Sequence, residues 1–470
     1  MTDSDYQQGQ RLELEITDLT DTGEGIGRYQ DQVVFVPDTI PGDRIIARLI
    51  HVKRKYAIAR LEKLITHSSQ RIRPACIVAD KCGGCQWQHI DYDAQLTTKQ
   101  HLVVQALEHI GGFPQPPVSP ILPSPSALHY RNKATYPLSR SSTGQVQAGY
   151  YQKGSHRLIN LNQCPVQDEN LDPFLANIKQ DIQEQGWSIY NEQQHRGLIR
   201  HLSLRIGRRT GEILLTLVAC RPLPRLEEQA ETWLQQYPNL VGVCLNLNPD
   251  KTNVIFGEQT NCVKGQGFLR EEFAGLNFHL TPETFFQVNT EAAEAVLKVI
   301  QPQLNLLGEE IIIDAYCGIG TLTLPLAKQL QLLASSAQKT AQKQVIGIEM
   351  QPTAVQLAYQ NARLNGIDNV SFEVGTVETI LSRLSIQPDI ILLDPPRKGC
   401  DRTVLEMLLK LQPTQIVYVS CKPSTLARDL KILCENGLYH LTQVQPVDFF
   451  PQTPHVECVA FLQLSVISEQ

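Results

Sequence analysis

The pattern of apolar and polar residues changes twice along the chain, and each part predicts a different architecture. Between residues 8 and 65, apolar and polar positions alternate in short stretches separated by glycine or proline, as in LELEITDL, DTGEGIGR and VVFVP. Short strands separated by such turns predict a small, OB-like β-barrel. From residue 281 onward, buried strands alternate with helical stretches, a pattern that predicts a parallel sheet covered by helices.

Residues 66–280 follow neither pattern throughout. A helical stretch at residues 92–110 leads into FPQPPVSPILPSPS, whose six prolines predict an extended segment. Further on, LSLRIGRR and EILLTLVAC predict a hairpin. We therefore expect a multidomain α/β chain, with a mixed α+β domain at 66–280 between the barrel at 8–65 and a Rossmann-like domain at 281–470.

Seven apolar segments define the predicted C-terminal sheet. Five of them, IIIDAYC, VIGIEM, VSFEVG, IILLDPP and IVYVSC, predict parallel strands. The last two, LYHLTQVQPVD and VECVAFLQL, predict an antiparallel pair that closes the sheet. The segment ASSAQKTAQKQ at residues 334–344 is poor in apolar residues, so we expect a surface insertion there.

Composition and charge restrict the class of protein. The 470 residues are 42% hydrophobic and 19% charged, with a net charge of −6, which is typical of a soluble chain of two or three domains. The acidic, polar N-terminus is unlike a secretion signal, and no apolar run is long enough to span a membrane. We therefore expect a cytoplasmic protein without a membrane partner.

Basic residues are concentrated in two stretches. Residues 44–73 contain nine Lys or Arg and one acid, and residues 195–209 contain five Arg and no acid. A solvated surface would explain either stretch, but in an acidic chain such concentrations favour contact with nucleic-acid phosphates. The mixture of basic and aromatic side chains at residues 130–136 also suits stacking on unpaired bases.

Three of the twelve cysteines lie close together in CIVADKCGGCQWQH. Cys76, Cys82 and Cys85 have the spacing C-x5-C-x2-C, and Cys164 in LNQCPV is a candidate fourth member. Four thiolates can hold either zinc or an iron–sulfur cluster. Zinc is the commoner occupant of C-x2-C, but the second C-x2-C pair of a zinc ribbon is missing, so the residues alone leave both groups open.

Chemically active residue types follow several of the predicted parallel strands. Gly318 and Gly320 form a G-x-G turn after the first strand, and Glu349 ends the second, where a carboxylate can accept both hydroxyls of a ribose. This combination predicts a nucleoside cofactor. Asp394 follows the fourth strand, and Cys421 follows the fifth, just before a helix whose N-terminus would favour the reactive thiolate.

Other interpretations of these residues remain open. The D-P-P sequence that begins at Asp394 also occurs in methyltransferases that act on exocyclic amines, which typically carry an aromatic residue where this chain has Arg397. Such an enzyme would not need Cys421, which would then be an ordinary buried cysteine. A protein that binds RNA without catalysis would account for the basic stretches alone.

The ordered motifs of the whole chain resemble the RNA uracil-5-methyltransferase family, of the 23S rRNA type with a TRAM domain and an iron–sulfur cluster. The resemblance is carried by GEGIG, VFVP and PGD in the barrel, by the four cysteines, and by FFQVN, DAYCGIG, LLDPPRKG, VSCKPSTLARDL and HVEC. It implies an RNA-binding TRAM barrel, a [4Fe-4S] cluster in the central domain and S-adenosylmethionine bound to the C-terminal domain.

The resemblance also implies roles for individual residues. Cys421 is implied to be the nucleophile and Glu457 the general base, although His455 would share a face with Glu457 on one strand. The residues implied to contact S-adenosylmethionine are Gln287, Tyr316, Glu349 and Asp394, and those implied to hold the cluster are Cys76, Cys82, Cys85 and Cys164.

The implied reaction is methylation of C5 of a uridine in folded RNA. A thiolate that adds to C6 makes C5 nucleophilic towards the methyl group of the cofactor, and a base then removes the C5 proton so that the thiol can leave. The target base must be flipped out of the RNA to reach the site. By resemblance, the cluster cysteines favour 23S rRNA over tRNA as the substrate, and we expect a monomer.

Overall fold

The computed structural model describes residues 7–30, 32–336 and 344–465. Most of the predicted insertion at residues 334–344 therefore lies outside the described residues. The described chain forms a small barrel, a central sheet and a C-terminal sheet. Among its helices, none is long and apolar enough to cross a membrane.

A closed five-stranded barrel forms the N-terminal part, with the spatial order β1-β2-β3-β5-β4. Its strands are β1 (Arg11–Leu19), β2 (Gly25–Tyr29), β3 (Gln32–Val36), β4 (Arg44–Val52) and β5 (Tyr56–Thr66). Alternate residues of β1, namely Leu12, Leu14 and Ile16, point into the barrel and are at most 3% exposed. The period of two in the sequence is thus the period of a strand with one buried face, and the predicted barrel is confirmed.

A helix and a seven-stranded sheet make up the central part. Helix α1 (Tyr92–Ala106) continues into a π-helical turn (Leu107–Gly111), as predicted for residues 92–110. The sheet has the order β12-β11-β10-β9-β6-β7-β8, in which β9 and β10 form the predicted hairpin. The elements are β6 (Lys133–Arg140), β7 (Val146–Tyr151), β8 (Leu158–Asn160), α2 (Asp172–Glu184), β9 (Ile199–Ile206), β10 (Ile213–Ala219), α3 (Leu226–Gln236), β11 (Leu240–Leu247) and β12 (Gln259–Gly265).

The C-terminal part is a second seven-stranded sheet, in the order β17-β16-β15-β18-β19-β21-β20. Its strands are β15 (Ile312–Ala315), β16 (Val345–Glu349), β17 (Val370–Val374), β18 (Ile390–Leu393), β19 (Gln415–Ser420), β20 (Tyr439–Val447) and β21 (Glu457–Leu464). The helices are α4 (Thr290–Gln303), α5 (Thr323–Ser336), α6 (Pro352–Leu364), α7 (Val377–Arg383), α8 (Arg402–Leu411) and α9 (Pro423–Cys434). The five parallel strands and the antiparallel pair of β20 and β21 confirm the sequence prediction.

The strand order determines where a ligand can bind. The chain runs outward from β15 to β16 and β17, then returns to β18 on the other side of β15. At such a reversal the connections leave the sheet in opposite directions, which opens a crevice beyond the carboxyl ends of the strands. In addition, β21 inserts between β19 and β20, so the start of β21 lies beside the end of β19.

A short hairpin, β13 (Leu269–Phe273) and β14 (Leu276–Leu280), contributes to the core of the C-terminal sheet. The rings of Phe273 and Phe278 contact Phe286 with centroid separations of 5.8 and 6.2 Å. This aromatic cluster holds the loop that follows β14 close to the crevice. The domain boundaries at residues 66 and 281 stay a prediction.

Candidate active site

A strained turn forms one side of the crevice. After β15 the backbone passes through Tyr316, Gly318 and Gly320 with φ values of 72°, 55° and 87°. Two of these positions are glycines, for which a positive φ is easily accessible, whereas at Tyr316 it is rare. The Tyr316 amide donates to the carbonyl of Ile348 (2.9 Å), so β16 holds the turn in place.

Glu349 is fixed at the mouth of this turn. Its carboxylate accepts hydrogen bonds from the Gly318 amide (3.2 Å) and the Gln351 amide (2.8 Å). Each oxygen keeps a further lone pair, so the group can still accept a hydrogen bond from a ligand hydroxyl. The arrangement is suited to the ribose contact predicted from the sequence.

The other three predicted cofactor residues line one pocket. Gln287, Tyr316 and Asp394 face it together with Phe285. The Phe285 side chain is 69% exposed, whereas the adjacent Phe286 is 2% exposed and belongs to the core. Sequence reasoning did not assign Phe285 to the site, because two consecutive phenylalanines do not reveal which ring is buried. An exposed aromatic ring at a pocket mouth is a natural surface for stacking on a planar ligand.

Two acids, the buried Asp314 and the half-buried Asp394, line this pocket. Burial raises the pKa of Asp314 to about 7, against an opposing hydrogen bond from the Thr323 hydroxyl (2.5 Å). Burial alone raises the pKa of Asp394 to about 7. A positively charged ligand in this pocket would favour the ionised form of both acids. The sequence predicted Asp394 but not Asp314, which stands in the strand β15 itself.

Cys421 and Glu457 come together through the pairing of β19 with β21. The last pair in that antiparallel register is Ser420 opposite Cys458, so the next position along places Cys421 opposite Glu457. Cys421 is half-buried, and Glu457 is 6% exposed. A thiol and a carboxyl separated by thirty-five residues in the sequence are thus neighbours at the edge of the crevice.

The electrostatic environment of Cys421 differs from the sequence prediction. Helix α9 begins two residues after Cys421, as expected. However, burial raises the pKa of the Cys421 thiol above its ordinary value, and Glu457 raises it further, whereas Arg397 opposes the shift. Burial and the neighbouring Glu457 therefore oppose the helix N-terminus, which the sequence predicts to favour the thiolate.

Glu457 and His455 are affected by burial in opposite ways. Burial raises the pKa of Glu457 well above its ordinary value, and Asp394 adds to the shift. Burial lowers the pKa of His455 to about 4, and Arg397, whose Nη2 lies 3.3 Å from His455 Nε2, lowers it further. At neutral pH the imidazole is uncharged and weakly basic. Glu457 is therefore the stronger base of the two.

A buried acid that the sequence did not identify supports the loop after β18. Asp429 on α9 accepts hydrogen bonds from the Tyr418 hydroxyl (2.6 Å) and the Cys400 amide (2.9 Å), and Arg428 pairs with it at 2.7 Å. A Cβ at Gly399 would lie 2.5 Å from the Asp429 carboxylate, so only glycine fits there. This packing holds the loop that carries Asp394 and Arg397 against the helix that follows Cys421.

The four predicted metal ligands line one cavity of about 150 Å³. Burial raises the pKa of Cys164 to about 12, and Cys85, Cys76 and Cys82 add to that shift, so the four sulfurs are close enough to interact. The Gly84 amide points at the Cys82 sulfur (3.5 Å). Among the described residues, no group of three or more His, Cys, Asp or Glu side chains is arranged to hold a metal ion.

The basic stretch at residues 44–73 lies on the barrel. Three of its nine cations pair with acids of the same barrel: Arg44 with Glu13, Arg48 with Glu62, and Arg71 with Asp43. The exposed remainder includes Lys53, Arg54, Lys55, Arg60, Lys63 and Arg73. The tip of the β4–β5 hairpin therefore presents three consecutive cations to solvent.

Two of the five arginines at residues 195–209 are buried and have a different role from the predicted one. Arg200 and Arg205 are 5% and 3% exposed and donate to backbone carbonyls of neighbouring loops. Arg208 and Arg209 both pair with Glu291 at 3.2 Å. The interpretation as an RNA-binding surface is wrong for Arg200 and Arg205, because both are buried and their charges are satisfied inside the protein. For Arg196 and Arg209, which are exposed, it stays a prediction.

The proposed stacking residues at 130–136 are also internal. Tyr130 and Tyr136 are 2% and 0% exposed, and their hydroxyls donate to Pro451 and Gln167 respectively. Neither ring can stack on a base. The sequence shows aromatic and basic side chains side by side, but alternate residues of a strand point to opposite faces.

A doubly wound sheet with a crevice at its strand reversal is typical of proteins that bind a nucleoside cofactor. Comparison with known proteins shows which family of cofactor-binding proteins the chain is similar to. The family model for tRNA (uracil-5-)-methyltransferases matches residues 91–465, and the TRAM-domain model matches residues 6–61. The chain is 62% identical over 466 residues to an uncharacterized RNA methyltransferase of Nostoc sp., covering 99% of both chains. It is 39% identical over 457 residues to one of Halalkalibacterium halodurans, covering 96% of this chain and 97% of the relative.

The chain therefore belongs to the tRNA (uracil-5-)-methyltransferase family and carries an N-terminal TRAM domain. Its fold is similar to the crystal structure of the Pyrococcus abyssi tRNA (uracil-54, C5)-methyltransferase in complex with S-adenosyl-L-homocysteine. The TM-score is 0.75 at 28% identity, with 96% of this chain and 100% of that chain covered. Family membership confirms the resemblance drawn from the motifs and makes the protein an enzyme of the methyltransferase class.

Proposed function

We propose that the protein transfers a methyl group from S-adenosylmethionine to C5 of a uridine in folded RNA. The proposal rests chiefly on the position of Cys421 opposite Glu457, at the edge of the pocket that Gln287, Tyr316 and Asp394 line. The similar structure from P. abyssi holds S-adenosyl-L-homocysteine, the product that S-adenosylmethionine becomes after methyl transfer. That complex supports the choice of cofactor.

The residues of the pocket have separate tasks in this proposal. S-adenosylmethionine, when bound, supplies an electrophilic methyl group on a positively charged sulfur. Glu349 accepts hydrogen bonds from the ribose hydroxyls, and Gln287, Tyr316 and Asp394 contact the rest of the cofactor. Because Asp394 has a raised pKa, it ionises most readily when a positive charge lies nearby.

Cys421 activates the target uracil for methylation. Its thiolate adds to C6 of the flipped-out uracil, which makes C6 tetrahedral and leaves an enolate over O4, C4 and C5. C5 of this enolate attacks the methyl group, and S-adenosyl-L-homocysteine would be the leaving group. Cysteine suits this role because it is nucleophilic near neutral pH and can also leave again. An amino-group methyltransferase, the rival suggested by the D-P-P sequence, would leave both Cys421 and Glu457 without a role.

Glu457 completes the reaction. After methyl transfer, C5 carries both a methyl group and a proton, and removal of that proton lets the S–C6 bond break. The raised pKa of Glu457 means that its carboxylate binds a proton more tightly than an exposed glutamate does. The residue therefore suits the abstraction of a proton from carbon.

The RNA substrate has two candidates. The leading one is 23S rRNA, which the cluster cysteines favour by resemblance, and the second is tRNA, the substrate in the name of the P. abyssi relative. In both cases we propose that the exposed cations of the barrel bind the RNA backbone. We further propose that the protein acts as a monomer in the cytoplasm.

Deletion of the gene tests the function and identifies the substrate. We expect the deletion strain to lose 5-methyluridine at one position of 23S rRNA, because the strain lacks the Cys421–Glu457 pair that we propose methylates that uridine. The measurement is nucleoside mass mapping of separated ribosomal and transfer RNA, with a strain complemented by the intact gene as control. Loss in tRNA instead would select the second candidate, and unchanged 5-methyluridine in both pools would refute the proposed reaction.

We also propose that Cys76, Cys82, Cys85 and Cys164 hold a [4Fe-4S] cluster. The four thiols line one cavity, which fits a group that takes one thiolate on each of four irons. A single zinc ion would instead need the sulfurs gathered at about 2.3 Å from one centre. The cluster would supply cross-links between the loop at residues 76–85 and the segment around Cys164. We propose a structural role, because four cysteines leave no open position for a substrate.

Iron analysis tests the cluster. We expect anaerobically purified protein to be brown and to contain about four irons per chain, because sulfide-bridged iron absorbs visible light by charge transfer. Cys82→Ser should lose most of the iron and colour, whereas Cys262→Ser should keep both, because Cys262 is exposed and lies outside the cavity. One tightly bound zinc without iron would contradict the cluster.

A further inference from the structure

The segment that precedes Glu457 in the chain is held by hydrogen bonds from several other parts of the protein. Residues 448–456, here called the strap, join β20 to β21, and Glu457 is the first residue of β21. Ladder pairing holds β21 only from Glu457 onward, opposite Val447 of β20. The position of the Glu457 carboxyl therefore depends on how the strap enters the strand.

Four consecutive carbonyls of the strap each accept a hydrogen bond from outside it. The donors are Asn289 Nδ2 to Phe449 (3.1 Å), Lys99 Nζ to Phe450 (3.1 Å), Tyr130 Oη to Pro451 (3.1 Å) and the Trp87 amide to Gln452 (3.0 Å). Three of these donors, Lys99, Tyr130 and Trp87, precede the predicted C-terminal domain at residues 281–470. Lys99 also forms an ion pair with Asp448 at 2.5 Å, in which neither side chain is exposed.

Gln452 is the central residue of the strap. Its φ is +69°, a conformation that residues with a side chain rarely adopt. Two hydrogen bonds to Gln95 hold it. The backbone N–H of Gln452 donates to Gln95 Oε1 (2.9 Å), and Gln95 Nε2 donates to the side-chain oxygen Oε1 of Gln452 (3.2 Å). Gln95 is fully buried on α1 and also donates to the Trp87 and Ile90 carbonyls.

The strap also meets the barrel. The Trp87 indole donates to the Gly23 carbonyl (3.3 Å), and a Cβ at Gly23 would lie 3.0 Å from that indole and 3.4 Å from Pro454. Trp87 stands two residues after Cys85. The barrel, the cysteine loop and the segment before Glu457 are therefore in contact at one point.

We propose that Gln95 and Gln452 are positioning residues for Glu457, so that the central part of the chain controls the second half of the methylation reaction. The inference rests on the proposed function, in which Cys421 forms the bond to C6 and Glu457 removes the C5 proton. Cys421 lies between β19 and α9, and among the described residues no hydrogen bond joins Gln95 or Gln452 to either element. Loosening the strap should therefore slow proton removal without affecting formation of the bond to C6 or the methyl transfer.

The test measures two stages of a single turnover separately: formation of the methylated Cys421–RNA adduct, and release of the methylated RNA after the C5 proton is removed. In Gln95→Leu we expect release of methylated RNA to slow by about tenfold to a hundredfold, the scale of a catalytic group displaced by about 1 Å. The covalent Cys421–RNA adduct, already methylated, should accumulate on a denaturing gel, while the affinity for S-adenosylmethionine and the rate of adduct formation stay unchanged. Gln452→Gly allows the positive φ and keeps the backbone hydrogen bonds of residue 452, but it removes the side-chain amide. We expect it to behave in the same way.

Matched controls keep the test specific. Gln105→Leu makes the same change on the same helix and should release product normally, because within the described part of the chain the Gln105 side-chain amide is hydrogen-bonded to His101 alone. Thermal unfolding of each variant checks that it is folded. Equal slowing of both half-reactions in folded Gln95→Leu and Gln452→Gly, or normal release by both, would overturn the inference.

Glu457→Gln, assayed in parallel, distinguishes the inference from the function on which it rests. If Glu457→Gln traps the methylated adduct and the two strap variants do not, the positioning role fails while the proposed reaction stands. If Glu457→Gln itself releases product normally, the base assignment fails and the positioning role fails with it. Trapping by all three variants supports both.

Discussion

Replacement of Cys421 by serine is expected to abolish methylation, with turnover reduced by about 10⁴-fold or more, the scale on which covalent nucleophiles act. A serine hydroxyl is almost never ionised at neutral pH, so it cannot add to C6 as a thiolate does. Binding of S-adenosylmethionine should be retained, because Gln287, Tyr316 and Glu349 are unchanged. The measurements are methyl transfer to RNA under single-turnover conditions and cofactor affinity by calorimetry.

The control for Cys421→Ser is Cys434→Ser, which changes another half-buried cysteine at the far end of helix α9. We expect its turnover to match that of the unmodified protein. Turnover by Cys421→Ser within a few-fold of the control would remove Cys421 from the mechanism. It would also revive the amino-group methyltransferase suggested by the D-P-P sequence, which needs no thiol nucleophile.

The pH dependence of adduct formation gives a second measure of the nucleophile. The pKa of Cys421 is raised by burial and by Glu457, so at neutral pH the unliganded thiol is protonated. The reactive thiolate becomes more abundant as pH rises, and the rate of adduct formation should increase from pH 6 to above pH 8. A helix N-terminus acting alone would instead have given a rate that is already constant at neutral pH.

Replacement of Glu457 by glutamine is expected to stop the reaction after methyl transfer and to slow product release by about 10²–10⁴-fold, the contribution of a general base. The amide preserves the shape of the side chain but cannot take the C5 proton, so the S–C6 bond cannot break. A covalent Cys421–RNA adduct that already carries the methyl group should accumulate. A denaturing gel with radiolabelled S-adenosylmethionine detects it as a slow, labelled band.

The first half of the reaction should not suffer in Glu457→Gln. The Glu457 carboxylate raises the pKa of Cys421, so its removal should lower that pKa and let the adduct form at least as fast as in the unmodified protein. His455→Gln is the companion variant. If Glu457→Gln releases methylated RNA normally and His455→Gln traps it, the base is His455 and the assignment to Glu457 is wrong.

The local pattern of the chain was sufficient for most of the fold. Alternation with period two in β1 and the glycine turns after it predicted the barrel, and the succession of apolar strands and helices predicted the parallel sheet. The carboxyl ends of parallel strands lie at one edge, so Glu349, Asp394 and Cys421 could be assigned to a common crevice from their positions in the sequence. These features depend on periods and neighbours that are local in the sequence.

Charge and exposure could not be predicted in the same way. Arg200 and Arg205 look like surface cations in the sequence, yet carbonyls of distant loops surround them. The exposed ring of Phe285 and the buried ring of Phe286 are indistinguishable as residue types. Whether a side chain meets solvent depends on which elements pack against its strand, and that information is spread over the whole chain.

The sequence by itself therefore determined the residue types, the succession of strands and helices along the chain, and the edge of the sheet at which the chemically active residues lie. Only the tertiary structure decided that β21 lies between β19 and β20, which brings Glu457 opposite Cys421 and raises the pKa of that thiol. Likewise, only the folded chain joins the strap to α1 and the cysteine loop. The physical reason is that antiparallel pairing and burial connect residues remote in sequence, and no local period records which remote partner a strand will choose.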